Sequence, residues 1–186
     1  MSKLESAQNP NAFPLHLFYQ GRNYDAQMFF GAHNIERDGN ALTVFRVWAP
    51  NAIDVSVVGD FNNWNAQSNP MKKIADGIWE AEMKRLPQYT LYKFSILTKS
   101  GETLLKNDPY GRHFETAPQN CTKLYDSAYT WNDQAWLEKK SKTNVYKSPM
   151  NIYEAHFDSW RTYPDGNPLS YVAFAEQMIP YMKEMS

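Results

Sequence analysis

Residues 89–98, YTLYKFSILT, decide the fold. Tyr89, Leu91, Lys93, Ser95 and Leu97 fall on one face of an extended chain and Thr90, Tyr92, Phe94, Ile96 and Thr98 on the other, the period-2 pattern of a strand packed on one side. Lys99, Ser100, Gly101 and Glu102 then supply a turn. Toward the N-terminus, 77–83 (GIWEAEM), 54–59 (DVSVVG) and 41–49 (ALTVFRVWA) repeat the β-branched and aromatic composition of strands, with Arg46 interrupting the last of them. Gly59 and the cluster Asn62, Asn63 and Asn65 form a polar turn, because short amide side chains hydrogen-bond their own backbone. Shorter strands are expected near 103–106 and 122–125. Six or seven strands at this spacing, with no sustained helical period between 41 and 126, predict an all-β sandwich.

The chain has 186 residues, with 19 Lys and Arg against 20 Asp and Glu, and lacks the basic excess of a phosphate-backbone binder, so no nucleic-acid partner is expected. Nothing approaches the roughly 20 apolar residues of a membrane span, and the first residues, MSKLESAQNPNAF, show no secretory h-region. No membrane association and a cytoplasmic location are therefore expected. Cys121 stands alone, which removes an intramolecular disulfide and any four-thiolate metal site. With no Gly-rich phosphate loop, no His-Glu-x-x-His pair and four scattered histidines, no cofactor and no metal site are predicted. The excess is aromatic: 6 Trp, 12 Tyr and 10 Phe, residues that build sandwich cores or, when exposed, flat platforms for ligands.

The flanks divide the chain further into an arm over 1–36, the sandwich over 37–127, a polar linker over 128–149 and a closing segment over 150–186. That segment reads as a strand over 150–157 (MNIYEAHF), a Pro- and Gly-containing loop, and a helix from Ser170 with the apolar stripe Val172, Ala175, Ile179 and Met182, bent by Pro180.

GDFNNW at 59–64, LYKF at 91–94 and Asn107-Asp108-Pro109 together resemble the glycogen- and starch-binding sandwich module of branching enzymes, isoamylases and AMP-activated kinase β subunits. The flanking pieces follow the order of the bacterial 1,4-α-glucan branching enzymes: His16-Leu17-Phe18, Gly31-Ala32-His33, 47–52 (VWAPNA), Trp131-Asn132-Asp133, Ser148-Pro149-Met150 and Ile152-Tyr153-Glu154. The likeness runs from about Leu15 onward. It implies an immunoglobulin-like sandwich followed by the first strand and helix of a truncated (β/α)8 barrel, whose missing remainder would be a partner. It also implies that no catalytic residue lies in this sequence, since the family's catalytic carboxylates come after later barrel strands. Asp158 departs from the family's common Gly.

An α-glucan ring needs one flat aromatic face and polar groups at its rim. Trp64, in a polar turn, is the expected platform, whereas Trp48 and Trp79 lie inside strands and read as core. Lys93 sits among apolar neighbours and must reach water or a partner; the resemblance makes it a hydroxyl ligand and places a further polar contact near Asn120. The family's second tryptophan has no counterpart in 101–105 (GETLL), which removes about 1–3 kcal/mol of stacking and makes binding weak. A docking module packing on the barrel or another protein is the alternative.

Overall fold

The computed structural model describes residues 11–185, which divide into two units at residues 128 and 129. In the first, nine strands form two antiparallel sheets: β1 (Gly31–Arg37), β2 (Asn40–Trp48), β3 (Ala52–Gly59), β4 (Lys72–Ala75), β5 (Ile78–Lys84), β6 (Leu91–Thr98), β7 (Thr103–Lys106), β8 (His113–Phe114) and β9 (Thr122–Lys123). One sheet has the order β1-β2-β5-β4; the other runs β3-β6-β9-β8, with β7 against the later part of β6. The all-β sandwich expected from the sequence is therefore present. The two edge strands of the first sheet, β1 and β4, were not expected from the sequence, and β1 comes almost wholly from the stretch assigned to the arm.

Alternation places Phe45 and Val47 of β2, Val55 and Val57 of β3, Trp79 of β5 and Tyr92 and Phe94 of β6 in one core with Met71 and Leu124. Each buried aromatic removes some 150–250 Å² from water, so this layer dominates the unit's stability. Arg46 occupies the outer face of β2. There its Nε meets Oε2 of Glu80, its partner in the β2–β5 register, at 2.6 Å, and its guanidinium lies 4.6 Å from the centre of the Phe29 ring. Helix α1 (Ala12–Tyr19) contributes Leu15 and Phe18 to a second cluster with Phe29, Phe30 and Ile78.

Trp48 is not core. It ends β2, is 52% exposed, and packs one edge against the Phe18 ring at 5.7 Å; alternation from the core residues Phe45 and Val47 puts it on the outer face with Arg46, which strand composition alone does not reveal.

The second unit holds α2 (Gln134–Lys142) and α3 (Tyr171–Glu184). Ser170 caps α3, its Oγ accepting from the N–H of Ala173 at 3.2 Å, and Pro180 lies inside the helix. Phe174 and Tyr181 of α3 pack on an aromatic cluster with Phe157, Trp160 and Tyr153. Val172, Ile179 and Met182 of the expected stripe are exposed within this unit. The expected strand over 150–157 is absent from the described structure. An extended segment becomes a strand only when a neighbour takes its N–H and C=O groups, and none pairs with it here.

Candidate functional site

The candidate site is built at the end of the β3–β6 ladder. Gly59 closes β3 and is paired with Tyr92, one residue from Lys93. A side chain at Gly59 cannot be accommodated: an added Cβ would stand 2.1 Å from the Leu91 carbonyl oxygen and 2.7 Å from the Phe61 ring. Glycine is needed here for close approach, since its φ of 177° is ordinary extended backbone.

The turn that follows is tied by one side chain. Asn62 Oδ1 accepts from the Gly59 N–H at 3.0 Å, while Asn62 Nδ2 donates to the Val57 carbonyl at 3.0 Å and to Asn69 Oδ1 at 2.8 Å. Asn63 and Trp64 are both left-handed, with φ of 52° and 60°. For a bulky residue such as Trp that conformation costs of order 1–3 kcal/mol and persists only where its surroundings enforce it. The N–H of Trp64 donates to the Gly59 carbonyl at 3.0 Å, fixing the backbone, and the residue is left 37% exposed. The expected platform is therefore partly packed and partly open.

Lys93 projects from the outer face of β6, since its neighbours Tyr92 and Phe94 are in the core. It is half-buried, and its Nζ donates to Asn120 Oδ1 at 2.6 Å. Two of the three residues named from the sequence are thus in direct contact although 27 positions apart. Trp64 joins them at the same end of the ladder through the Gly59–Tyr92 register but is not hydrogen-bonded to either.

Asn120 is exposed, on a loop closed at its base by a reciprocal pair: the Glu115 N–H donates to the Cys121 carbonyl at 3.0 Å, and the Cys121 N–H donates to Glu115 Oε2 at 3.0 Å. That backbone donor, above all, holds the Glu115 carboxyl below its ordinary range. Burial, and then the hydrogen bond to Glu115, push the Cys121 thiol up, so it is not an activated nucleophile. Beneath the loop, Asp108 is 2% exposed: Oδ2 accepts from the Tyr92 hydroxyl at 2.8 Å, Oδ1 from the Tyr110 N–H at 2.8 Å, and its own N–H donates to Thr122 Oγ1 at 3.1 Å. This knot fastens the segment leading to Asn120 onto β6 and β9. Burial pushes Asp108 above its ordinary carboxyl range, against its two hydrogen-bond donors. Sequence reading singled out Asn107-Asp108-Pro109 only as part of a motif; a carboxylate beside Pro and sixteen residues from a core Tyr was the available signal of the anchor.

Among the described residues, no group of three or more His, Cys, Asp or Glu side chains could hold a metal ion, and no helix is long and apolar enough to cross a membrane.

Residues 29–111 match the carbohydrate-binding module 48 family, described as the isoamylase N-terminal domain. Along the chain, 180 residues are 42% identical to the 1,4-alpha-glucan branching enzyme GlgB of Bacillus caldolyticus, covering 96% of this chain and 27% of that protein. The GlgB of Nitrosomonas eutropha is 41% identical over 192 residues, covering 98% and 26%. The chain thus spans about a quarter of the length of these curated relatives. Among solved structures, pullulanase from Bacillus acidopullulyticus aligns over 52% of this chain and 12% of its own, at 22% identity and a TM-score of 0.41.

Proposed function

From the match of residues 29–111 to the carbohydrate-binding module 48 family, we propose that this chain is the α-glucan-holding opening portion of a 1,4-α-glucan branching enzyme. The whole enzyme would transfer α-1,4-glucan segments to α-1,6 branch points during glycogen synthesis, and this piece would position the polymer without catalysing. The supporting observation is the Lys93–Asn120 pair, with Nζ and Oδ1 2.6 Å apart, at the end of the sheet where the Trp64 turn leaves it.

The chemistry follows from the donors. An ammonium group carries three N–H bonds. One is spent on Asn120, which leaves two for ligand hydroxyls, while the Asn120 carboxamide NH₂ adds donors beside them. The open part of the Trp64 indole offers its face to the C–H side of a glucosyl ring, a contact that excludes water from both surfaces. One aromatic face without a second partner makes a weak site, suited to a polymer that meets the enzyme at many places at once.

The test is affinity-gel retardation in glycogen-containing gels of the full chain, Trp64→Ala and Lys93→Ala. Parent retardation that falls in both variants supports the reading. Equal retardation of all three removes it, and no retardation of the parent, together with binding to the rest of a branching enzyme added in trans, would favour a docking module instead.

A further inference from the structure

Asn120 can hold Lys93 only while the loop between β8 and β9 keeps it in place. Glu115 directly follows β8 and Cys121 directly precedes β9, so the two continue the ladder that pairs Phe114 with Thr122. Facing residues of an antiparallel ladder commonly exchange two backbone bonds. Here the first is present, from the Glu115 N–H to the Cys121 carbonyl at 3.0 Å, and almost any residue at 115 would form it. The second is made by the side chain, with Glu115 Oε2 accepting from the Cys121 N–H at 3.0 Å. The Cys121 thiol and the Asn120 N–H are hydrogen-bonded to the same carboxylate, which therefore collects donors from two successive residues. Hydrogen bonds to an ionised acceptor are roughly twice as strong as neutral ones.

The register that pairs Leu91 with Lys123 and Tyr92 with Thr122 brings Lys93 alongside Cys121. A carboxylate that pins the 120–121 backbone thus sets where Asn120 Oδ1 meets Lys93 Nζ.

We infer that Glu115 is a positioning residue of the glucan site: without touching the sugar, its carboxylate holds the 120–121 backbone so that Asn120 keeps Lys93 in the place from which it donates. The inference rests on the α-glucan reading above and adds how that site is held together. The charged groups around the loop are Lys123 of β9, which faces Glu115, and Lys93 and Asp60, which face Cys121. The loop donors favour the ionised carboxyl and hold it below its ordinary 4.5, so the positioning is complete at neutral pH and is lost as pH falls through the folded value.

Glycogen co-sedimentation of the full chain, from pH 7 to pH 3.5, tests this with the parent, Glu115→Gln, Asn120→Ala and the double variant, circular dichroism marking the range in which each is folded. Glu115→Gln keeps the shape and one acceptor but not the charge. It should bind about fivefold more weakly at pH 7, the difference between a charge-assisted and a neutral hydrogen bond, and should lack the fall in affinity that the parent shows below about pH 4.5. Asn120→Ala should also weaken binding, and adding Glu115→Gln to it should cost nothing further, because the two act in series. A purely structural role for Glu115 would lower Tm while leaving the pH profile unchanged and the two losses additive. Parent-level affinity in either single variant, the same pH profile with and without Glu115, or a full additional loss in the double variant overturns the inference while the α-glucan reading stands, since the parent still binds. Absence of parental binding at every pH refutes that reading and the inference with it.

Discussion

Replacing Gly59 with alanine adds a single methyl group, yet it should both unfold the sandwich more readily and dismantle the proposed glucan site. The added Cβ would stand 2.1 Å from the Leu91 carbonyl oxygen, well over an ångström inside ordinary contact, and 2.7 Å from Phe61. The ring can rotate away, but the carbonyl belongs to β6 and cannot move without separating β3 from β6 at the Gly59–Tyr92 pairing. No backbone strain enters, because φ is 177°; the cost is that of overpacking, about 3 kcal/mol at the upper end of its usual range. For a unit of this size that lowers Tm by roughly 10–15 °C. Separation at this end also draws the Trp64 turn away from Lys93, so glycogen retardation should disappear even at temperatures where the variant is fully folded. Thermal unfolding followed by near-ultraviolet circular dichroism, with affinity gels run well below the transition, measures both effects. Gly101→Ala is the control: its Cβ would meet nothing within 4 Å, but φ is +84°, so it should cost about 1 kcal/mol and leave sugar binding untouched. A Gly59→Ala midpoint within about 2 °C of the parent, or parent-level retardation, would refute the close-packing account of this turn.

Trp64→Phe should keep most packing and part of the apolar face, so its loss of glycogen affinity should be smaller than that of Trp64→Ala, which should reach about 5–150-fold; equal losses in affinity gels would contradict stacking. Arg46→Met should cost about 3 kcal/mol in urea unfolding, because Glu80, with its side chain only 14% exposed, is left charged and unpaired, whereas Arg46→Met/Glu80→Leu should recover most of it. Burial raises the folded-state value of Asp108 above its ordinary 3.8, so the native state holds the proton to higher pH than the unfolded chain does. Its contribution to stability is therefore complete below about pH 4 and is lost as pH rises through the folded value. Asp108→Asn should gain on the parent between pH 4 and pH 7 in denaturant titrations; parallel curves would show that Asp108 does not titrate this way.

The sequence made the central strands readable because each has one face in the core, and the alternation of Tyr92 and Phe94 with Lys93 and Ser95 is the imprint of that asymmetry. Edge strands such as β4 and the two-residue β8 and β9 owe their extended shape to a neighbour, so their own residues carry little signal. The segment 150–157 shows the converse: its composition suits a strand, but the described chain supplies no adjacent ladder. Arg46 stood out as a charge within an apolar run, while its partner Glu80 could be assigned only once the β2–β5 register was known. Lys93 and Asn120 were named separately, Asn120 through family resemblance; their contact depends on β6 meeting β9.

Asn62 gives the turn an unusual chemical vulnerability. Its carboxamide both receives from Gly59 and gives to Val57 and Asn69, so neither aspartate, which has no N–H, nor the longer glutamine can reproduce it. Hydrolysis of that one amide during storage would add less than one dalton to the mass, yet it would set a negative charge against the Val57 carbonyl oxygen. Under the proposed reading, the shelf life of sugar recognition would be tied to a single nitrogen atom.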